Sequence, residues 1–364
     1  MYKNPLPSLI MHLEFVLLPH YDFIRRMLCG MDFSRAIVCA PSDRKERSMK
    51  IVLMEPLGVS SEIIEKLADG LVSAGHTFAS YDTFTTDTDE LIRRAGDADI
   101  LMIANHPLPG EVIRADKNLK FISVAFVGID HIDTDACKEQ GVAISNTGGY
   151  CDDAVAELAV GLALDCLRNI TECNAAVQSG GGKGALAGNE LAGRTVGIIG
   201  TGAIGMRTAE IFKAFRCRLI GFNRSDKPKA REMGIELMPL DEVMKQADII
   251  TIHTPLTPAT KGLIGEKEIG LMKQGAILIN TARGPVVDTQ ALAGALRAGR
   301  IKAGIDVYEK DPPLPEGHPL LGAPNLVCTP HVGFDTRESI DRRAEMAFEN
   351  VTEWLAGNQI RKMM

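Results

Sequence analysis

A glycine-rich turn between an apolar run and a helical pattern constrains the fold of this 364-residue chain more than any other feature. The run Thr195–Ile199 has the composition of a buried strand, Gly200-Thr201-Gly202-Ala203-Ile204-Gly205 follows at once, and residues 206–215 have helical periodicity. In such a unit the glycines let the backbone approach a pyrophosphate, while the helix N-terminus offers N–H groups to phosphates. The turn therefore predicts a dinucleotide site with contacts from Gly200, Gly202, Ala203, Ile204 and Gly205.

Short apolar runs alternate with amphipathic stretches twice along the chain. The first series has strand patterns at 51–54, 100–104, 121–125 and 142–144. The second series has strand patterns at 195–199, 218–222, 249–253, 276–280, 303–307 and 326–328. Alternation of this kind implies parallel strands joined by crossover helices. We therefore predict an α/β protein with two Rossmann-like or flavodoxin-like domains, the second built on six strands.

The domain boundaries follow from changes in pattern along the chain. Residues 1–48 differ from the rest: their apolar part is too short and polar to span a bilayer, and no cleavage site of a signal peptide follows it closely. We expect an N-terminal extension here, or a segment upstream of a natural start at Met49. Residues 49–150 with 333–364 should form a substrate domain and 151–332 a dinucleotide domain, with the glycine-rich stretch 179–184 as a flexible linker.

Charge and cysteine usage exclude several classes of partner. The formal net charge is −7 and there is no dense basic stripe, which argues against nucleic acid or an anionic membrane as partner. Eight scattered cysteines without a C-x-x-C pair fit reduced thiols and a cytoplasmic location. The spacing of histidines and cysteines matches no metal site, so we expect no metal.

The residues after the second strand of the dinucleotide domain bear on the identity of the cofactor. Asn223 lies 18 residues after Gly205, where an NAD site usually has an acid against the ribose 2′-OH. A neutral Asn223 does not repel a 2′-phosphate, and Arg224 and Ser225 can bind one. We expect NAD(P)H, with NADP(H) favoured over NAD(H). The alternatives are that Arg224 is solvated and both dinucleotides bind, or that Asp226 takes the NAD role.

Three polar residues late in the chain, Arg283, Asp311 and His331, have the chemistry needed to reduce a 2-oxo acid. Arg283 follows a strand at the carboxyl end of the sheet, and its planar fork suits a carboxylate. His331 can donate a proton to the carbonyl oxygen as negative charge develops there. A carboxylate beside the imidazole would orient it and favour its protonated form. The alternatives are a surface ion pair for Arg283 and a structural role for His331.

Several separated motifs give the chain from Met49 onward a family resemblance. They include Val127-Gly128-Ile129-Asp130-His131-Ile132-Asp133, His253-Thr254-Pro255-Leu256-Thr257, Asn280-Thr281-Ala282-Arg283-Gly284 and the glycine turn. The sequence resembles the D-isomer-specific 2-hydroxyacid dehydrogenase family. This resemblance implies an active-site cleft between the two domains, a homodimer, and a small 2-oxo or 2-hydroxy acid as substrate.

The resemblance also implies roles for individual residues. Arg283 and the backbone N–H groups of Val127 and Gly128 would hold the substrate carboxylate, and His331 would be the proton donor. Contacts to the cofactor would come from Thr254, Pro255, Thr281 and Asp306. Asp306 would meet the nicotinamide carboxamide, the alternative being a cap at the end of its strand.

The carboxylate partner of His331 is where the sequence departs from the family. The family normally has glutamate before the proline, whereas Asp311 precedes Pro312 here. Since aspartate is one methylene shorter, the backbone moves closer, or water couples the pair, or Glu309 takes the role; we rank Asp311 first. His106 and His131 have no evident partner and are expected to be structural or solvated, and His318 to be a turn residue.

These observations favour an NAD(P)-dependent reductase of a small 2-oxo acid such as glyoxylate or hydroxypyruvate. D-3-phosphoglycerate and D-lactate dehydrogenases are alternatives within the same chemistry. An alternative of another class is a dinucleotide-sensing corepressor, which binds cofactor and protein partners with little turnover. Oxidation of formate or phosphite is disfavoured, because formate enzymes of the family carry an amide at the position of Asp311.

Overall fold

The computed structural model describes residues 47–364, and the first part of this region forms a five-stranded parallel sheet in the order β2-β1-β3-β4-β5. Its strands are β1 (Lys50–Leu53), β2 (Thr77–Ser80), β3 (Ile100–Ile103), β4 (Phe121–Val124) and β5 (Ala143–Ser145). The helices between and beside them are α1 (Ser61–Ser73), α2 (Thr88–Ala95), α3 (Gly110–Ala115) and α4 (Thr134–Gln140). The strand order is that of flavodoxin-like sheets.

The sequence pattern explains which strands of this sheet could be predicted. Strands β3 and β4 are buried along their whole length, and a parallel strand covered on both faces is apolar throughout. Strand β2 was not predicted, because it is a largely exposed edge strand of composition TFAS. An exposed edge does not need the apolar run by which the other strands are recognised.

The second sheet has seven parallel strands in the order β12-β11-β10-β9-β6-β7-β8. They are β6 (Thr195–Ile199), β7 (Arg218–Phe222), β8 (Glu236–Leu237), β9 (Ile249–Ile252), β10 (Ile277–Asn280), β11 (Lys302–Ile305) and β12 (Leu326–Cys328). The prediction of six strands was therefore wrong by one, since the two-residue edge strand β8 has no apolar run. The order reverses between β6 and β9, and such a switch point creates a crevice at the carboxyl ends of the strands.

Helices connect the strands of the second sheet and cover both of its faces. They are α7 (Ala203–Ala214), α8 (Pro228–Met233), α9 (Leu240–Gln246), α10 (Glu266–Leu271) and α11 (Thr289–Arg297). Before them come α5 (Asp152–Arg168) and the short α6 (Ile170–Gln178). The first turns of α5 pack in the core of the first sheet through Ala154 and Val155, whereas its later turns pack in the core of the second sheet. We call each sheet with its covering helices a lobe, the first lobe around the five-stranded sheet and the second around the seven-stranded sheet. The two lobes therefore share one helix.

The last helix, α12 (Arg337–Leu355), returns to the first sheet, where it packs on α1 and β4. Its buried side chains join the core of that sheet, and Trp354 stacks on Phe121 with ring centroids 5.0 Å apart. The segment after it pairs antiparallel with β5 through a bridge between Ser145 and Lys362. The N-terminal extension predicted for residues 1–48 lies outside the described residues except for 47 and 48.

Among the helices of residues 47–364, none combines the length and the apolar composition that a membrane span requires. The same residues contain no group of three or more histidine, cysteine or acidic side chains placed to hold a metal ion.

Candidate active site

A cleft of about 550 Å³ lies where the carboxyl ends of the two sheets face each other. The first lobe lines it with Phe126, Val127, Gly128 and Asp130, and the second with Gly202, Ala203, Ile204, Thr254, Pro255, Thr281, Arg283, Asp306 and His331. A surface groove of about 630 Å³ between α10 and α11 contains none of the predicted site residues. We therefore take the cleft as the candidate active site, because it brings together polar side chains from both lobes.

The glycine turn lies at one end of this cleft. Gly200 has a φ of +95°, and a Cβ there would lie 2.7 Å from the carbonyl oxygen of His253, so only glycine fits. A Cβ on Gly202, in contrast, would meet no atom within 4 Å. Helix α7 begins at Ala203, so its first N–H groups border the same open space. This arrangement offers backbone donors to a phosphate group without obstruction by a side chain.

Three buried threonine hydroxyls around the turn test whether the cleft fits a dinucleotide. The Oγ1 atoms of Thr201, Thr254 and Thr281 have no hydrogen-bond partner within residues 47–364. Thr254 and Thr281 line the cleft, and Thr201 lies in the glycine turn beside it. Buried polar atoms are normally hydrogen-bonded, so these unpartnered hydroxyls indicate a polar ligand. Together with the open face at Gly202, these groups fit the pyrophosphate and ribose of a dinucleotide.

The loop after β7 is tied to the glycine turn by Asn223. Its Oδ1 accepts a hydrogen bond from Thr201 N at 3.2 Å, and its Nδ2 donates to the backbone oxygen of Ser225 at 2.8 Å and to the Ser225 hydroxyl at 3.2 Å. Arg224 is exposed and makes no hydrogen bond or ion pair in the described part of the chain. Asp226 accepts from Arg231 Nε at 3.0 Å, so its carboxylate already has a partner.

Arg283 projects into the cleft and pairs with Asp130 of the other lobe. Its Nη2 and Nε lie 3.3 and 3.4 Å from Asp130 Oδ1, and its Nη1 donates to the Ala282 carbonyl at 2.8 Å. The sequence did not predict this pair, although Asp130 lies within the motif that begins at Val127. A Cβ on Gly128 would collide with the guanidinium, which explains the glycine.

The backbone beside Arg283 is free to bind a second oxygen of an anion. No hydrogen bond from the N–H groups of Val127 and Gly128 to any residue from 47 to 364 is present. Asn146 Nδ2 donates to the carbonyl of Val127 at 2.7 Å, which fixes this stretch of backbone. The guanidinium and these N–H groups therefore line one side of the cleft with donors for a carboxylate.

His331 pairs with Asp311 rather than with Glu309. Its Nδ1 lies 2.7 Å from Asp311 Oδ1. Glu309 instead accepts from the Thr289 hydroxyl, and its other oxygen lies 3.2 Å from His318 Nε2. His318 is thus the partner of Glu309 and not merely a turn residue.

The backbone at His331 has an unusual conformation that a buried carboxylate maintains. His331 has a φ of +60°, in the left-handed region that residues other than glycine rarely adopt. Asp306 is 1% exposed, and its two oxygens accept hydrogen bonds from Val332 N and Gly333 N, both at 2.9 Å, and from the Thr329 hydroxyl at 2.6 Å. These bonds hold the turn in place, as expected for strain stored at a functional site. Asp306 also lines the cleft.

Other ionisable side chains near the cleft are held neutral by burial. Burial lowers the pKa of His253 to about 3 and also lowers the pKa of His131. Burial raises the pKa of the Cys151 thiol to about 12, so this cysteine is not a thiolate nucleophile at neutral pH. His331 is therefore the imidazole best placed to exchange a proton inside the cleft.

The prediction that His106 lacks a partner was wrong. Its Nδ1 contacts the carboxylate of Glu55, a residue that follows β1 and is 4% exposed. The Glu55 hydrogen bond raises the pKa of His106 against the opposing effect of burial. His131, for which a structural or solvated role was expected, is half-buried, and its Nε2 is a buried atom without a hydrogen-bond partner within the described region.

Comparisons with known proteins point to one family. A model described as "D-isomer specific 2-hydroxyacid dehydrogenase, NAD binding domain" matches residues 160–333. A hydroxypyruvate reductase of Thermotoga maritima is 36% identical over 299 residues, which are 81% of this chain and 90% of that protein. A D-3-phosphoglycerate dehydrogenase of Methanocaldococcus jannaschii is 36% identical over 315 residues, which are 85% of this chain but only 58% of that protein. Among solved structures, an acyclic imino acid reductase in complex with NADPH and D-Arg is 29% identical, with a TM-score of 0.78, covering 87% of this chain and all of that one.

Proposed function

Because the chain belongs to the D-isomer-specific 2-hydroxyacid dehydrogenase family, we propose that it is an NAD(P)H-dependent reductase of small 2-oxo acids such as glyoxylate or hydroxypyruvate. The observation that carries this proposal is the cleft itself. It contains a carboxylate-binding arginine, Arg283, and an imidazole–carboxylate pair, His331 with Asp311, beside the glycine turn. A 2-oxo acid needs both features, since it has a carboxylate to hold and a carbonyl oxygen to protonate.

In the proposed reaction, Arg283 and the N–H groups of Val127 and Gly128 hold the substrate carboxylate. The Asp130 carboxylate competes for the same guanidinium, so substrate binding weakens that pair. A nicotinamide dinucleotide, which the glycine turn and the threonines beside it would hold, would supply the hydride for the carbonyl carbon when bound. His331 donates the proton to the carbonyl oxygen from Nε2, because its Nδ1 is engaged by Asp311. In the reverse direction the neutral imidazole acts as the base.

A steady-state panel of 2-oxo acids with NADH and NADPH tests the function. The panel contains glyoxylate, hydroxypyruvate, 3-phosphohydroxypyruvate and pyruvate. The first two test the proposed reductase activity, and the other two test the D-3-phosphoglycerate and D-lactate dehydrogenase alternatives. We expect turnover with at least one of the first two and lower kcat/KM for the others. Tight dinucleotide binding without turnover of any substrate would contradict the proposal and favour a dinucleotide-sensing binding protein.

We further propose that the enzyme prefers NADP(H), because Asn223 is neutral and Arg224 has no hydrogen-bond or ion-pair partner among residues 47–364, in the loop where the ribose 2′ substituent is expected. Arg224→Ala should raise the KM for NADPH about 10- to 100-fold, the effect expected from losing hydrogen bonds to a charged group. The KM for NADH should change less than about twofold, and serves as the internal control. A wild-type preference for NADH that survives this substitution unchanged would defeat the cofactor proposal.

Asp311 is proposed to hold the His331 imidazole in the orientation for proton transfer. Asp311→Asn should lower kcat for reduction about 10- to 100-fold, because a neutral amide replaces the charged partner of Nδ1. The KM for the 2-oxo acid should change less than about threefold, since Arg283 is intact. The measurement is steady-state kinetics with hydroxypyruvate and glyoxylate. Glu309→Gln is the matched control, and a loss of kcat in that variant instead would assign the role to Glu309.

We also propose a homodimer, which the surface of α6 supports. No residue of this helix is buried, and Ile170 and Val177, seven residues apart on one face, are 53% and 65% exposed. Light scattering should give about twice the 39.3 kDa chain mass for the wild type. Val177→Asp should shift this mass towards the monomer, whereas a monomeric wild type at micromolar concentration would contradict the proposal.

A further inference from the structure

A second carboxylate–histidine pair, Glu55 with His106, lies at the carboxyl edge of the first sheet. Glu55 directly follows the residue after β1, and its Oε1 accepts hydrogen bonds from Ala104 N at 2.7 Å and His106 N at 3.4 Å. Its Oε2 contacts His106 Nδ1. A buried carboxylate is costly unless it is paired and hydrogen-bonded, and here every described contact involves residues 104 and 106. Glu55 therefore fixes the loop after β3 and the imidazole that this loop carries.

The imidazole of His106 is held on two sides and free on a third. Its ring stacks on Phe84, with centroids 4.3 Å apart and an interplanar angle of 10°. The side chain is 36% exposed, and Nε2 has no hydrogen-bond partner in the described region. A histidine that only braced the loop would not need a free donor at the surface. The Glu55 contact occupies Nδ1, so Nε2 is the ring nitrogen left to donate a hydrogen bond to a ligand.

Two observations place that donor near the candidate active site. The loop carrying His106 runs beside the loop carrying Val127 and Gly128, because β3 and β4 are neighbours and Leu108 N donates to the His131 carbonyl at 3.0 Å. In addition, the negative charge of Asp311, the partner of His331, acts on His106 and contributes to its raised pKa after Glu55. His106 therefore lies beside the first-lobe side of the cleft, in a small pocket that it lines with Glu55 and Leu108.

The groups attached to the carbonyl carbon of the substrate indicate what a donor at this position can bind. The carbonyl carbon of a 2-oxo acid carries a carboxylate, an oxygen and the rest of the molecule, beginning at C3. Arg283 with Val127 and Gly128 is assigned to the carboxylate, and His331 to the oxygen. The C3 substituent is the remaining group to be recognised. A donor beside the first-lobe side of the cleft suits an acceptor oxygen on that carbon.

We propose that the Glu55–His106 pair is a specificity determinant that selects 2-oxo acids with an acceptor oxygen on C3, through a hydrogen bond from His106 Nε2. This inference rests on the proposed function and deepens it. Both a hydroxyl, as in hydroxypyruvate, and a phosphate ester, as in 3-phosphohydroxypyruvate, supply such an oxygen. His106 acts on substrate choice and not on proton transfer, which remains with His331.

The test compares substrates that differ only at C3. Pyruvate lacks the oxygen, and glyoxylate lacks the carbon. In His106→Ala the ratio of kcat/KM for hydroxypyruvate to that for pyruvate should fall about 10- to 100-fold, as expected for a hydrogen bond from a charged donor. Activity with glyoxylate should change less than about twofold. A greater loss with 3-phosphohydroxypyruvate than with hydroxypyruvate would assign the preferred acceptor to the phosphate.

Two further variants separate recognition from folding. His106→Gln retains an N–H donor and should recover part of the ratio, while Glu55→Gln should lower the ratio most at alkaline pH, where an unsupported imidazole is neutral. Equal losses with all three substrates, an unchanged ratio in His106→Ala, or a wild type without preference for hydroxypyruvate over pyruvate would each overturn the proposal. A wild-type protein that reduces no 2-oxo acid would overturn the proposed function together with this proposal. The three outcomes before it would overturn the specificity proposal alone.

Discussion

Replacing His331 with asparagine should lower kcat for 2-oxo acid reduction by about 10²- to 10⁴-fold, the usual contribution of a positioned general acid. Asparagine is the informative substitution because it tolerates the left-handed backbone that His331 adopts at a φ of +60°. The turn held by Asp306 should therefore keep its conformation, so the lost rate reports the lost proton donor. Alanine at this position would combine loss of the acid with backbone strain.

The measurement for this variant separates chemistry from binding. The KM for the 2-oxo acid and the affinity for the dinucleotide, followed by fluorescence titration, should remain within about threefold of wild type, since Arg283 and the glycine turn are intact. A variant that retains most of the wild-type kcat would show that His331 is not the proton donor. A loss of dinucleotide affinity as large as the loss of kcat would indicate a collapsed cleft instead.

Replacing Arg283 with glutamine should lower kcat/KM by about 10²- to 10³-fold, which corresponds to about 3–4 kcal/mol of lost stabilisation. The guanidinium is the cationic fork that reaches the candidate substrate site from the second lobe, and glutamine cannot make a bidentate, charge-assisted contact with a carboxylate. Arg283→Lys restores the positive charge but not the planar fork of the guanidinium. This variant should recover less than about a tenth of the kcat/KM that Arg283→Gln loses. Steady-state kinetics with hydroxypyruvate and glyoxylate provide the measurement.

Asp130 supplies the control for the Arg283 variant. Loss of the arginine leaves the Asp130 carboxylate beside the substrate, where it repels an incoming anion. Asp130→Asn combined with Arg283→Gln removes this repulsion, and the double-mutant cycle isolates it from the loss of direct substrate contacts. If the double variant regained wild-type kcat/KM, Arg283 would serve only to neutralise Asp130. We expect recovery of less than about tenfold.

The sequence predicted those parts of the fold that depend on local pattern. The sequence ILMI of β3 indicates a strand that is buried on both faces. The glycine turn between β6 and α7 could be predicted because its residues are consecutive in the chain. Strands β2 and β8 were not predicted, because edge strands need neither a long apolar run nor a regular alternation of apolar and polar residues. The domain boundary near residue 150 stays a prediction, and α5, which begins just after it, contributes side chains to both cores.

The candidate site was predictable where a residue type implies its chemistry, and unpredictable where function depends on a partner distant in sequence. Arg283 and His331 stand out as isolated groups of the right chemistry. The pairing of Arg283 with Asp130 joins residues 153 positions apart, and that of His106 with Glu55 joins residues 51 positions apart. No periodicity links such residues, because only the folded sheets bring their strand ends together. Spacing also left open a choice between Asp311 and Glu309. In the structure Asp311 contacts His331, whereas Glu309 contacts Thr289 and His318.

The segment that pairs with β5 has a consequence for the behaviour of the protein at high concentration. Unpaired strand edges attract strands of other molecules and promote aggregation. Here Ile144 exchanges backbone hydrogen bonds with Met363 and Met364, so the edge of β5 is already paired. The remaining sheet edges, β2, β8 and β12, are only four, two and three residues long. Both parallel sheets therefore present little backbone on which an intermolecular β-structure can grow.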